Sequence, residues 1–156
     1  SRGLGDVYKR QLGFSLPSGN PLMPRYATRI ERLEAKGSGL EYGLERARRN
    51  TPDGTSDEIV SFLADIALDI RLEQIRDGGR MSQEADNAAF SDRIKVPVLI
   101  LSGGKDTVIS DEMHNALTSA FPVAEQIIFP DAGHASYAEC PAKYHAEIIK
   151  FANKTE

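Results

Sequence analysis

The feature that most constrains the fold is a continuous apolar run, Val96 to Leu101, in the second half of the chain. It is rich in Val, Leu and Ile and ends at Ser102-Gly103-Gly104. A short run of this kind is typical of a β-strand that is buried on both faces. A second short strand is predicted at residues 126–129, after a helix that Ser110 is placed to cap. Two strands joined by a helix are normally parallel, so we expect one parallel pair.

The last helix is predicted to begin at Pro141, because proline suits the first helical turn. Its apolar residues then recur at helical spacing on one face: Tyr144, Ile148 and Phe151. Residues 94–156 therefore have the order strand, helix, strand, helix. That order predicts an α/β fold with a parallel sheet.

The segment 12–93 has a different character, with a Gly- and Pro-containing loop at 12–20 followed by helical patterns. A first helix is expected to carry Tyr26, Ile30 and Leu33 on one face and to end at Gly37. The next helix, from about Ser38, has apolar residues at the same spacing: Leu40, Leu44 and Ala47. After the Pro52-Asp53-Gly54 turn, Ser56 is expected to cap a helix with one apolar stripe: Ile59, Leu63, Ile66 and Ile70. Residues 24–90 are therefore expected to be helical throughout.

The first residues have a separate origin in our interpretation. Residues 6–11, Asp-Val-Tyr-Lys-Arg-Gln, can be back-translated as GAT GTG TAT AAG AGA CAG. This string resembles the transposase mosaic-end adaptor that is used in sequencing libraries. We therefore expect residues 1–11 to be an adaptor-derived artefact and the native part of the chain to be truncated, and we exclude residues 1–11 from fold reasoning.

Composition fits one modest globular domain and argues against several classes of partner. The 156 residues are 40% hydrophobic and 27% charged, and the net charge is −4 with basic residues scattered among acidic ones, so no nucleic-acid interface is expected. Apolar runs reach only a few residues, whereas a membrane-spanning helix needs about 20, so no membrane contact is predicted. The single cysteine, Cys140, cannot form an intrachain disulfide, and a reducing, cytoplasmic location is expected.

An acid and a histidine follow the two predicted strands. Asp106 lies just beyond Gly103-Gly104-Lys105, and His134 follows Gly133 after the second strand. Because the carboxyl ends of parallel strands share one edge and neighbouring strands are about 5 Å apart, the two side chains are expected within about 4 Å of each other. A carboxylate so placed can orient a histidine that acts as a general base. Either residue taken alone would fit a simple turn.

Other titratable side chains are weaker candidates. Asp131 also precedes His134, but its position between Pro130 and Gly133 favours a turn former. His114 and His145 fall within predicted helices and are expected to face solvent. Cys140 stands at a helix start, where a structural role is favoured over a reactive thiol.

Phosphate-loop and metal sites are not predicted. A phosphate loop needs Gly five residues before its Gly-Lys pair and Ser or Thr after it, and here Leu99 and Asp106 occupy those places. The sequence has no H-E-x-x-H and no Cys/His ligand pairs. No metal and no cofactor are therefore expected.

The segments Val96 to Ile100, Gly103 to Asp106 and Gly133-His134, followed by Glu139 and Pro141, resemble the C-terminal half of α/β-hydrolases. The resemblance implies a partial α/β-hydrolase fold, with residues 12–93 as the loop and helical cap segment and residues 94–156 as core. It implies that Asp106 is the triad acid and His134 the triad base. The cap also resembles those of small-molecule hydrolases related to enol-lactonases. Ser110 stands where family members often have Pro, which affects only the turn.

In this family the nucleophile lies in a G-x-S-x-G turn upstream of the cap. Only Gly13-Phe14-Ser15-Leu16-Pro17 comes near, and Pro17 replaces the second Gly. We therefore expect the nucleophile to be missing and the chain to be inactive alone. The resemblance implies a hydrolase lineage, acting by a Ser-Asp-His type triad on an ester, lactone or carbon–carbon bond of a small molecule.

Three alternatives stay open at this point. A haloalkane dehalogenase or a cofactor-free oxygenase would share this half of the fold, and the identity of the missing nucleophile would separate them. A non-catalytic binding or signalling protein could use the same fold. In an unrelated doubly wound domain, Asp106 and His134 would not meet.

Overall fold

The computed structural model describes residues 31–32, 34–36, 39–66, 68, 70–71, 73–75, 77 and 88–155. The expectations for residues 1–11, for the loop at 12–20, for Ser15 and for the helix face of Tyr26, Ile30 and Leu33 lie outside the described residues. The elements, in chain order, are helices α1 (Gly39–Asn50) and α2 (Asp57–Asp65), a 3₁₀ helix (Ala88–Arg93), strand β1 (Leu99–Gly103), helix α3 (Asp111–Ala120), strand β2 (Glu125–Phe129) and helices α4 (Ser136–Glu139) and α5 (Pro141–Thr155). No described helix is both long and apolar enough to span a membrane.

The two strands form a parallel pair, as the sequence predicts. Their register runs from Leu99 opposite Glu125 to Gly103 opposite Phe129, and helix α3 connects them. Both strands therefore end at the same edge of the sheet. The order β1, α3, β2, α5 confirms the predicted α/β arrangement of the C-terminal part.

Strand β1 differs from the prediction in its bounds and its burial. It begins at Leu99 instead of Val96, because Pro97 has no N–H to donate to a strand ladder. Burial on both faces is also wrong for most of the strand, since only Ile100 is buried and its neighbours are half-buried. Among the described residues the sheet has two strands, so β1 is paired along β2 alone.

Helix α1 confirms the predicted element but not the predicted face. Leu40 and Leu44 are substantially exposed, whereas Tyr42, Gly43 and Ala47 are buried. Ala47 packs in one cluster with residues of α2 and of the loop before α4: Val60, Leu63, Ala64 and Ala135. A small side chain at Ala47 lets the neighbouring helix approach closely. This contact, which the leucine spacing does not reveal, orients the helix.

Helix α2 begins where the sequence places it and ends earlier. The Ser56 hydroxyl accepts a hydrogen bond from the Ile59 backbone N–H at 3.4 Å, which caps the first turn. The helix ends at Asp65, so the expectation that its stripe continues to Ile70 is wrong. Ile66 is largely exposed. Because helices in proteins depend on packing of their apolar face, the exposed side chain of Ile66 contributes little to extending the helix.

The C-terminal helices are fixed by caps and by contacts with the sheet. The Ser110 hydroxyl accepts a hydrogen bond from the Met113 N–H at 3.3 Å, and Pro141 starts α5, both as predicted. On α5, the Tyr144 ring packs 5.7 Å from the Phe129 ring of β2. The short helix α4, which lies between β2 and α5, is not predicted by the sequence pattern because it spans only four residues.

Candidate functional site

Two loops leave the shared carboxyl edge of the sheet and touch each other through their backbones. The Lys105 N–H donates to the Ala132 carbonyl at 2.8 Å, and the Gly104 N–H donates to the Phe129 carbonyl at 2.8 Å. A Cβ atom at Gly103 would lie only 2.0 Å from the Gly133 carbonyl oxygen. The glycine at position 103 is therefore a steric requirement for the loops to meet.

The structure brings Asp106 and His134 together at this edge. The distance from His134 Nδ1 to Asp106 Oδ2 is 2.9 Å, within the limit that the sequence predicts. The Asp106 side chain is 14% exposed and the His134 side chain is 37% exposed. Because a carboxylate only accepts hydrogen bonds, the pairing assigns the proton to Nδ1. His134 Nε2 makes no hydrogen bond with the part of the chain that the structure describes.

The second oxygen of Asp106 is held by its own loop. Oδ1 accepts hydrogen bonds from the backbone N–H groups of Val108 at 2.7 Å and Ile109 at 3.0 Å. Burial of the carboxyl raises the pKa of Asp106, but the hydrogen bonds from His134, Ile109 and Val108, together with the charge of His134, lower it by more. The net pKa of Asp106 lies below its ordinary value, so this carboxyl is an ionised acceptor at neutral pH.

The histidine loop is fixed by its backbone. The His134 N–H donates to the Asn50 carbonyl at 2.9 Å. The carboxylate of Glu139 accepts from the two flanking N–H groups, those of Gly133 and Ala135. Gly133 is buried, and a Cβ there would lie 2.8 Å from Pro52 Cδ. The turn after α1 therefore packs directly on this loop.

The C-terminal end of helix α1 contacts both loops. The Arg49 carbonyl accepts from the Thr107 hydroxyl at 3.1 Å, next to Asp106, and the Asn50 carbonyl accepts from the His134 N–H. The last carbonyls of a helix have no partner inside the helix. Here residues of the two loops supply partners, which ties the helical segment to the acid and the histidine.

The remaining candidates lie apart from the pair. Asp131 is exposed and pairs with Lys105 at 3.2 Å, which agrees with its expected turn position. His145 is exposed, as predicted. His114 is half-buried with Nδ1 3.3 Å from Ser102 Oγ, so the expectation that it faces solvent is wrong. The histidine is on the side of α3 that meets β1.

Cys140 behaves as a structural residue in its contacts. Its thiol donates to the Ser136 carbonyl at 3.1 Å, across the short helix α4. Burial, together with the charge of Glu139, raises the pKa of the Cys140 thiol. A raised pKa disfavours the reactive thiolate.

In the described ranges, His, Cys, Asp and Glu side chains do not gather in the threes that a metal ion needs.

The sequence prediction missed the hydrogen bonds of Glu139 and Thr107. Glu139 is the fourth residue of α4, one position beyond the acid of a capping box, and the N-cap residue is Ala135, so the sequence pattern does not reveal this contact.

Sequence comparisons relate this chain to known proteins. The family model described as alpha/beta hydrolase fold matches residues 44–141. A Yersinia pestis protein provisionally named carboxymethylenebutenolidase is 51% identical over 55 residues, which cover 33% of this chain and 21% of that protein. An Escherichia coli K12 protein with the same name is 44% identical over 57 residues, covering 34% of this chain and 21% of the relative.

Solved structures show the same fold. A thermophilic esterase from Thermogutta terrifontis aligns with a TM-score of 0.73 and 21% identity, over 90% of this chain and 53% of that one. The enol-lactonase from Burkholderia xenovorans LB400 aligns with a TM-score of 0.70 and 18% identity, over 82% of this chain and 50% of that one. The chain thus spans about half the length of these structures. With the family match over more than half of its residues and the acid and histidine on adjacent strand exits, this chain belongs to the α/β-hydrolase fold family.

Proposed function

We propose that Asp106 and His134 are the acid and the base of a Ser-Asp-His type triad in a hydrolase of small-molecule carboxylic esters, including lactones. The observation that carries the proposal is the 2.9 Å hydrogen bond between His134 Nδ1 and Asp106 Oδ2. Both residues follow parallel strands at one edge of the sheet, where ligands bind in open α/β folds.

In the proposed mechanism, the Nδ1–H of His134 donates to Asp106, which fixes the tautomer and leaves Nε2 as the proton acceptor. Nε2 removes the proton of the nucleophile as it attacks the ester carbonyl, and later delivers a proton to the leaving alcohol. Asp106 stabilises the imidazolium that forms between these steps. Its low pKa keeps the carboxylate charged throughout.

The names of the curated relatives favour an ester or lactone over a carbon–carbon bond. Curated relatives bear the name carboxymethylenebutenolidase, and structural neighbours include an esterase and an enol-lactonase. In these proteins, by name, the bond is a carboxylic ester or its cyclic form. We propose the same bond class for the whole protein to which this half belongs.

We propose that the nucleophile and the oxyanion hole come from sequence outside these 156 residues. The 156 residues contain no G-x-S-x-G turn, and Ser15 has Pro17 where that motif has Gly. An acid and a base alone lack the groups that form and stabilise a tetrahedral intermediate. The isolated chain is therefore inactive in this proposal.

The test has two arms, which use this chain and the longer protein encoded by the sequence upstream of Leu12. The isolated chain should hydrolyse p-nitrophenyl acetate no faster than its His134→Ala variant, and a fluorophosphonate probe should leave it unlabelled. The longer protein should be labelled on a serine, and Asp106→Asn should lower its kcat by about 10³–10⁴-fold. Turnover by the isolated chain that is lost in Ser15→Ala would contradict the missing nucleophile. Full activity of the long His134→Ala variant would contradict the triad.

A further inference from the structure

We propose that Glu139 is a positioning residue for His134. Its carboxylate accepts hydrogen bonds from the backbone N–H groups on both sides of the histidine and thereby holds the imidazole next to Asp106. The proposal deepens the function proposed above and rests on it. Glu139 does not touch the reacting atoms in this scheme. It acts through the backbone that carries the base.

Three hydrogen bonds join the Glu139 carboxylate to the histidine loop. Glu139 Oε2 and Oε1 lie 2.9 and 3.1 Å from the Gly133 backbone N, and Oε1 lies 3.1 Å from the Ala135 backbone N. Between these two groups, the N–H of His134 itself donates to the Asn50 carbonyl at 2.9 Å. Three consecutive N–H groups are therefore held from outside the loop, so the Cα of His134 has little freedom to rotate or shift.

Burial of the histidine loop keeps these hydrogen bonds in place. Gly133, Ala135 and Ser136 are buried. A Cβ at Gly133 would lie 3.4 Å from Glu139 Oε1, which shows how closely the carboxylate follows the loop backbone. Within the described part of the chain, no Lys or Arg forms an ion pair with Glu139, and its hydrogen bonds go to backbone N–H groups. Hydrogen bonds with an ionised acceptor are stronger than neutral ones.

The geometry needs a carboxylate and not an amide. Each oxygen of Glu139 faces an N–H donor. A glutamine would replace one oxygen with an NH₂ group, and in either orientation this group would face the Gly133 N–H donor to donor, because both oxygens lie within 3.1 Å of the Gly133 nitrogen. Glu139→Gln therefore disrupts the hydrogen bonding with the Gly133 N–H while it preserves the shape of the side chain.

The experiment follows the Asp106–His134 pair by NMR in the whole chain. In Glu139→Gln, the Nδ1–H proton of His134 should exchange with water at least tenfold faster, and the pKa of Asp106 should rise toward its ordinary value. Glu147→Gln is the matched control, since Glu147 pairs with Lys150 within α5. Val60→Ala is the stability control, because it removes part of a fully buried core side chain on α2. Neither control should move the two signals.

If Glu139→Gln lowers the melting temperature as Val60→Ala does but leaves both signals unchanged, Glu139 is only structural and the proposal fails. If Glu139→Gln does not fold, Glu139→Asp keeps the charge on a shorter stem and should shift both signals in the same direction by less, while unchanged signals would again overturn the proposal. In the longer protein, kcat should fall about tenfold with KM unchanged. Shifted signals with unchanged kcat would leave the positioning role intact and contradict the proposed triad instead.

Discussion

The two loops that carry Asp106 and His134 and the helix pair α1–α2 are stabilised in different ways. The loops meet through backbone hydrogen bonds and through glycines that leave no space for a side chain. The helix pair is held by an apolar cluster around Val60 and Leu63, to which Ala135 of the histidine loop also contributes. Hydrogen bonds are directional and fix the positions of individual atoms, whereas apolar burial mainly keeps the two helices together.

The largest effect is expected from Gly103→Ala, which would break the loop pair. The new Cβ would lie 2.0 Å from the Gly133 carbonyl oxygen and 2.5 Å from that of Ala132. Both atoms are backbone, so the loops must separate, at a cost of about 3 kcal/mol or more in the free energy of unfolding. Urea denaturation followed by circular dichroism measures the change.

Gly54→Ala is the control for this substitution. Gly54 has a φ of 86° and no atom within 4 Å of a built Cβ, so only backbone strain opposes the alanine. The expected loss is about 1–2 kcal/mol. A Gly103→Ala variant that loses no more than Gly54→Ala would mean that the loops do not touch as described.

The next effect concerns the helix pair. Leu63 is 8% exposed and packs among small residues, so Leu63→Ala should lower the free energy of unfolding by about 2–3 kcal/mol. The adjacent Phe62 is 58% exposed, and Phe62→Ala should change it by no more than about 0.5 kcal/mol. In both variants the Nδ1–H signal of His134 should stay unchanged under native conditions. A shifted signal in Leu63→Ala would show that packing of the helices also sets the geometry of the pair.

The contrast between the regions also explains what the sequence could predict. The Ser56 and Ser110 caps and the Pro141 start are local, so the residues themselves identify them. The meeting of Asp106 and His134 follows from the parallel pairing of the two strands, which brings both carboxyl ends to one edge of the sheet. These features require no knowledge of distant packing partners.

The features that the sequence did not predict depend on residues far apart in the chain. The buried face of α1 is set by packing of Ala47 with residues of α2, and α2 ends at Asp65, just before the exposed Ile66. The hydrogen bond from Thr107 to Arg49 joins residues 58 positions apart. Spacing within one helix or one loop carries no information about such contacts.

A smaller effect is expected when the acid loses its charge. Asp106→Asn keeps an acceptor for the loop N–H groups but loses the charge-assisted bond with His134, so it should lower the free energy of unfolding by about 1–2 kcal/mol at pH 7. The pKa of Asp106 is lower in the folded chain than its ordinary value. The carboxylate therefore stabilises the fold above about pH 4, and this contribution is lost as the pH falls through the lowered pKa.

Urea denaturation of wild type and Asp106→Asn at pH 7 and at stepwise lower pH measures the difference in their free energies of unfolding. Contributions of other carboxyls cancel between the two proteins. The difference should shrink toward zero in acid. A difference that is constant with pH would assign the effect of Asp106 to shape and not to charge.

The smallest effect tests the link between the two regions. Thr107 donates its hydroxyl to the Arg49 carbonyl at the end of α1, and Thr107→Val removes this exposed bond with little change of shape, at a cost of about 0.5–1 kcal/mol. Thr118 makes a bond of the same kind, to Asn115 within α3, so Thr118→Val is matched in chemistry but local. Because Asn50 follows Arg49 and accepts the His134 N–H, loosening the end of α1 should speed hydrogen exchange of that N–H in Thr107→Val and not in Thr118→Val. Equal exchange in the two variants would show that the histidine loop holds its position without the helix.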